Sequence, residues 1–143
     1  MESGITQAMR DTLGVEEPPV VFEVEKSGIR LFARAVGHTD PVYYDEACAL
    51  ARGFRGLPAP EGFLGTAVLT SEQTGRMLNG GNEYHYYGVS ICAGDVLTAV
   101  ARNLEMWEQS GPLGPTVMCR RETTFTNQSG QLVARLYETQ VFY

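Results

Sequence analysis

The chain has 143 residues, of which 43% are hydrophobic and 20% charged, with a net charge of −6. That length suits one domain around one core, and the acidic balance without a basic stripe argues against a nucleic-acid partner. No run of about 18 apolar residues is present to span a membrane. The opening MESGITQAMRDTLG lacks the apolar centre of a secretory signal. Cys48, Cys92 and Cys119 form no CxxC pair, so they read as free or buried thiols and a cytoplasmic location is expected.

Residues 1–19 are polar, weakly patterned and closed by Pro18-Pro19, and read as an N-terminal extension to a domain over 20–143. VVFEV (20–24) alternates, with Val20, Phe22 and Val24 on one face, and predicts a short strand. KSGIRLFARAVG (26–37) shifts to helical spacing, with Ile29, Phe32, Ala33 and Val36 on one face. Ser27 is placed to cap this helix, and Gly37 to end it in the left-handed region. Pro41 blocks continuation through His38-Thr39-Asp40. A second short helix follows, with Ala47, Leu50, Ala51 and Phe54 expected inward, and LPAPEG (57–62) must be an extended loop.

FLGTAVLTSEQTGRML (63–78) is the longest helical candidate, apolar in its first half and polar in its second. Beyond residue 82 the texture is strand: 82–91, 95–107, 115–127 and 131–143, joined by the glycine-bearing connections CAG, EQSGPLG and QSG. Short connections of this kind predict an antiparallel meander. Strands this long exceed the usual 5–6 residues or so and must curve, and the helix over 63–78 is the expected filling.

This order of elements is that of the hot-dog fold, an α+β single domain in which a long curved antiparallel sheet wraps a central helix. IRLFARAVGHTDPVYYDEACALARGFRGLPAPEGF resembles the helix-and-loop signature of the MaoC-like dehydratases, through Phe32, Ala33, Ala35, Gly37, Pro41, Gly53, Phe54, Gly56, Leu57, Ala59 and Pro60. YHYYGVSICAGDVL and RRETTFTNQSGQLVARLYETQVFY are similar to the family's later strands. Within the family the chain looks like the N-terminal half, or separate subunit, of (3R)-hydroxyacyl thioester dehydratases. The resemblance implies a hydratase or dehydratase acting on a CoA- or carrier-bound 3-hydroxyacyl or enoyl thioester. It implies no cofactor beyond the CoA or phosphopantetheine of the substrate, and a homodimer or a heterodimer with a related hot-dog subunit. Two alternatives stay open: a catalytically degenerate subunit that binds the acyl chain beside a dyad-bearing partner, and a repurposed enzyme of specialised, polyketide-type metabolism.

The departures fall at the chemical positions. Where family members carry a catalytic Asp and His, this chain has His38 and Tyr43. Dehydration needs a base for the α-proton, an acid for the leaving hydroxyl and donors for the enolate-like oxygen. Histidine is the side chain whose reference pKa lies closest to neutrality, so His38 is the candidate base or acid, or else a packing residue. Tyr43 is a candidate donor or a pocket-lining aromatic. Asp40 reads as an Asx-turn residue, with an orienting role toward His38 as the functional alternative. Gly62 opens the predicted helix over 63–78, where first-turn N–H groups are unpaired and the dipole favours negative charge, so its N–H is the candidate oxyanion donor. Tyr44, Pro60, Glu61 and Phe63 flank these positions as candidate substrate-binding residues. ARGFRG and Arg76 are candidate phosphate contacts or simply solvated arginines. His85 reads as a structural histidine. No metal site is expected, because His38 and His85 stand far apart without flanking ligands.

Overall fold

The computed structural model describes residues 4–67, 76–112 and 114–143. The elements run α1 (Gln7–Asp11), β1 (Val20–Glu23), α2 (Lys26–Ala35), a 3-10 turn at Pro41–Tyr43, α3 (Glu46–Ala51) and a second 3-10 turn at Phe63–Thr66. Four long strands follow, β2 (Met77–Tyr86), β3 (Val96–Gly111), β4 (Gly114–Thr126) and β5 (Leu132–Phe142).

Helix α2 buries Ile29 and Ala33 and packs Phe32 against the core, as its spacing predicts, while Val36, beyond the last turn, is exposed. Its N-cap position is Glu25, with no side-chain bond, rather than the expected Ser27. The end is a Schellman motif. Gly37 takes φ +81, its N–H donates to the Arg34 carbonyl, and the His38 N–H reaches back to Ala33 at 2.9 Å. Two carbonyls that a bare helix end leaves open are thereby satisfied, at a φ that costs glycine nothing.

Helix α3 departs from its predicted face. Ala49 is fully buried, whereas Leu50 is 54% exposed. Two short turns set the phase instead. Asp40 accepts from Val42 N–H, and Asp45 caps α3 by accepting from Ala47 N–H, each at 3.0 Å. A helix of six residues is too short for its own apolar periodicity to override those anchors. The 57–62 loop is extended as expected through Pro60, where Ala59 N–H donates to Ile91 and Ala93 N–H to Leu57, but Glu61 and Gly62 form a turn, with Gly62 at φ +85.

The expected helix over 63–78 is revised at both ends. Residues 63–66 form a 3-10 turn that buries Phe63 and Leu64, and Met77 already begins β2. Residues 68–75 lie outside the described residues.

All five strands pair antiparallel in the order β1-β3-β4-β5-β2. The meander expectation holds for β3, β4 and β5 but not for β2 and β3. Strand β2 ends at Tyr86, not at 91, and CAG is no hairpin. Residues 87–95 cross the end of the sheet while bonded to the 57–59 loop, which leaves β2 beside β5 on the far edge. The core lies between the inner face of this sheet, with Leu97, Ala99, Phe125, Ala134 and Leu136, and the layer of Val24, Ile29, Val42, Ala49, Leu57, Phe63 and Leu64. This is the α+β hot-dog fold.

One end of the inner face is polar. Asn103, Arg121, Glu138 and Asn82 lie in register across β3, β4, β5 and β2. The N-terminal residues cover this end and are bonded into the domain. Gly14 N–H donates to Asn103 and Glu17 N–H to Ala101, and the Asn103 amide donates to Thr12 Oγ1 at 3.0 Å.

Candidate functional site

The loop after α2 gathers His38, Asp40, Tyr43 and Tyr44. The Schellman turn fixes the His38 backbone, and the Tyr44 hydroxyl donates to the His38 carbonyl at 2.5 Å. The His38 and Tyr43 rings lie against each other at 4.8 Å between centroids, tilted by 34°. Both are half-buried. The Asp40 carboxylate is committed elsewhere, accepting from Val42 N–H and, at 2.7 Å, from the Arg52 guanidinium. Those bonds, Arg52 first and Val42 second, hold its carboxyl below the usual carboxylate range. Among the described residues no carboxylate bonds the His38 ring.

A second group surrounds Gly62. The turn PAPEG places Gly62 at φ +85, ahead of a 3-10 turn of four residues rather than in the first turn of an α-helix. Its N–H is not left open either. It donates to the Tyr86 phenol oxygen at 3.1 Å, while the Tyr84 hydroxyl approaches the Gly62 carbonyl at 3.5 Å. The two phenol rings stack, 6.2 Å apart and 8° from parallel. Positions 84 and 86 of β2 share one face by strand alternation, so two tyrosines clasp the Gly62 residue at its N–H and its C=O. Burial, countered in part by the Gly62 N–H, pushes the Tyr86 phenol up, so it stays neutral at physiological pH. Pro60 is buried and Glu61 exposed.

Beside this group opens an apolar cavity of about 590 Å³, bounded by β1, α2 and the start of the 63–67 segment. Phe22, Leu31, Phe32, Phe63 and Ala67 form its apolar walls, with Glu23 and Glu25 as its charged ones. Phe32 and Phe63 meet edge to face at 6.0 Å. Of the candidate catalytic and substrate-binding residues, Phe63 lines this cavity, whereas His38, Asp40, Tyr43, Tyr44, Pro60, Glu61 and Gly62 are not among its walls. No hydrogen bond or ring contact among the described residues joins the His38 group to the Gly62 group.

The two arginines of ARGFRG have internal partners. Arg55 grips Asp95 with two bonds, at 2.6 and 3.0 Å, and also donates to the Ser90 carbonyl. Arg52 is held by Asp40. Arg76 is exposed. His85 bonds Glu83 at 2.9 Å and sits edge-on to Tyr137. Tyr84, Tyr86 and Arg121 are the residues that sequence reading passes over. The alternation in EYHYY was available as a signal for the tyrosines. In MCRRETTF it requires one arginine of the pair to face inward without saying which.

A hot-dog sheet with an apolar cavity beside a glycine turn defines the class. The chain belongs to the FAS1-like dehydratase family, whose dehydratase domain region matches residues 11–136, and its fold is that of the MaoC-like hot-dog dehydratases. It is 31% identical over 131 residues to a UPF0336 protein of Clavibacter michiganensis, covering 84% of this chain and 85% of that one. Among solved structures it is similar to a chain of a C-terminally truncated HadBC (3R-hydroxyacyl-ACP dehydratase) complex from Mycobacterium tuberculosis, with TM-score 0.74 and 24% identity over 92% of this chain and 97% of that chain. It is also similar to the R-hydratase PhaJ1 from Pseudomonas aeruginosa, with TM-score 0.69 and 21% identity over 91% of this chain and 80% of that one.

Proposed function

We propose that this chain is the acyl-holding subunit of a hydratase or dehydratase acting on CoA- or carrier-bound 3-hydroxyacyl or enoyl thioesters, working beside a related hot-dog subunit that carries the proton-transfer dyad. The observation that carries this reading is the cavity. Its volume is within the range of small-molecule sites, roughly 300–1,000 Å³, and its walls are mainly aromatic and aliphatic, with Glu23 and Glu25 as the charged exceptions, which suits an acyl tail better than an anionic head. The peptide joining Gly62 to Phe63 links this cavity to the tyrosine clasp, where a thioester oxygen meets donors. The His38 group supports a packing role over a proton-transfer role. A catalytic imidazole needs a partner that sets its tautomer and orientation, and the Asp40 carboxylate is bonded to Val42 and Arg52 instead. The partner would pair along β2, an edge strand with Met77, Leu78 and Tyr86 exposed and an outer row of backbone groups suited to strand addition.

Calorimetric titration of the purified chain with saturated acyl-CoAs of increasing length tests the reading. Affinity should rise about three- to fourfold per methylene, as burial of roughly 0.8 kcal/mol per CH₂ requires. Crotonyl-CoA should lose its enone absorbance only once a dyad-bearing hot-dog subunit is added. Affinity independent of chain length defeats the proposal.

A second reading, an enzyme active alone, draws on the contact between the His38 and Tyr43 rings, at the two positions where the family resemblance would put a catalytic pair. Turnover by the isolated chain, abolished in His38→Ala, would establish it in place of the first.

A further inference from the structure

Gly62 N–H, the candidate oxyanion donor, already has an acceptor, so the group a ligand meets at this point needs to be identified. Its proton goes to the Tyr86 oxygen, and that oxygen still carries a proton of its own. No described residue accepts it. Tyr86 as a residue is 40% exposed, so it stands at the open edge of the sheet rather than in the sealed core. Swinging the phenol aside to free Gly62 would break the bond to the N–H and separate the ring from Tyr84, which is itself anchored near the Gly62 carbonyl. Leaving Tyr86 in place costs neither. A hydroxyl that accepts from a peptide N–H is also polarised toward donating, because hydrogen bonds in a chain strengthen one another.

We propose that the thioester carbonyl oxygen is received by the Tyr86 hydroxyl, with the Gly62 N–H behind it as the second link of the chain, rather than by the Gly62 N–H directly. This rests on the acyl-thioester reading above and assigns its oxygen-binding donor to β2. Tyr84 is then a positioning residue that fixes the ring of Tyr86. No covalent change is involved, and the phenol keeps its proton throughout.

The test compares butyryl-CoA with S-butyl-CoA, the thioether that lacks the carbonyl oxygen, by calorimetric titration of wild-type protein and Tyr86→Phe. The substitution keeps the ring stack and removes only the hydroxyl, and a thermal melt confirms that the variant is folded. Wild type should prefer the thioester. Tyr86→Phe should lose about tenfold in thioester affinity, the scale of one hydrogen bond to a ligand, and leave the thioether unchanged. A wild-type preference that survives unaltered in Tyr86→Phe overturns this inference and leaves the acyl-thioester reading standing. Tighter binding of both ligands by the variant overturns it too, because Tyr86 is then an obstruction. Failure of wild type to bind either ligand overturns the acyl-thioester reading itself, and this inference with it.

Discussion

Arg121, on the inner face of β4, donates to both carboxylate oxygens of Glu17, a residue 104 positions earlier in the chain. The guanidinium is almost fully buried, and its further bond is a long one, 3.3 Å, to the Asn103 side chain. Removing the carboxylate strands a buried charge. Glu17→Gln should therefore destabilise the fold by about 2–3 kcal/mol, less than a fully buried pair would lose because Glu17 is partly solvated. The double variant Glu17→Leu/Arg121→Met should recover most of that loss. Urea denaturation measures both.

Asp95 is a buried carboxylate, and its sensitivity to pH has a definite sign. Burial pushes its carboxyl up, but Arg55, the Cys92 N–H and Gln128 together outweigh burial and hold it below its ordinary value. A carboxyl depressed in the folded state contributes stability that is present above the unfolded pKa, about 3.9, and is lost as pH falls through the folded pKa. The urea midpoint should therefore drop as the pH is lowered below about 4. Asp95→Asn should be less stable at neutral pH by about 1.5–3 kcal/mol, and its midpoint should vary less across the acid range.

Gly65 faces Tyr84 so closely that an added Cβ would overlap the phenol oxygen. Gly65→Ala should displace the Tyr84 ring and cost about 1–3 kcal/mol. Tyr84→Phe removes the overlapping atom, so the double variant should be more stable than the sum of the single effects by at least about 0.5 kcal/mol. Strict additivity in the thermodynamic cycle would contradict the described contact.

The thiols should react in two classes. Cys92 and Cys119 are fully buried, and burial pushes the Cys119 thiol up to about 11. Cys48, on α3, is only partly covered. With an aromatic disulfide reagent at pH 8, one thiol should react promptly in the native protein and the other two only on unfolding.

What the sequence reveals of this fold depends on how local the cause is. The end of α2 is readable because glycine, proline and a polar loop act within a few residues, and the same local logic gives β3, β4 and β5 their pairing. The phase of α3 is not readable from its apolar residues, because Asp40 and Asp45 set it through turns outside the helix. The place of β2 is not readable either: which strand it joins depends on where residues 87–95 travel, and their bonds go to a loop far earlier in the chain. The same divide runs through the candidate site. Family resemblance brings out His38, Tyr43 and Gly62, and Gly62 does sit in the turn beside the cavity. The phenol that takes its N–H comes from a strand whose alternation is visible but whose partner is not.

Strand β2 also limits what can be laid beside it. Its register jumps between Asn79 and Gly81, and such a bulge twists the backbone and interrupts its row of donors and acceptors. That edge, unpaired among the described residues, is thus split into a short block, 77–79, and a longer one, 81–86. A strand arriving from another molecule finds an unbroken ladder along the longer block alone. The clasp tyrosines, 84 and 86, lie within that block, so any docking register also fixes what stands beside the Tyr86 hydroxyl, and assembly and ligand geometry become a single choice.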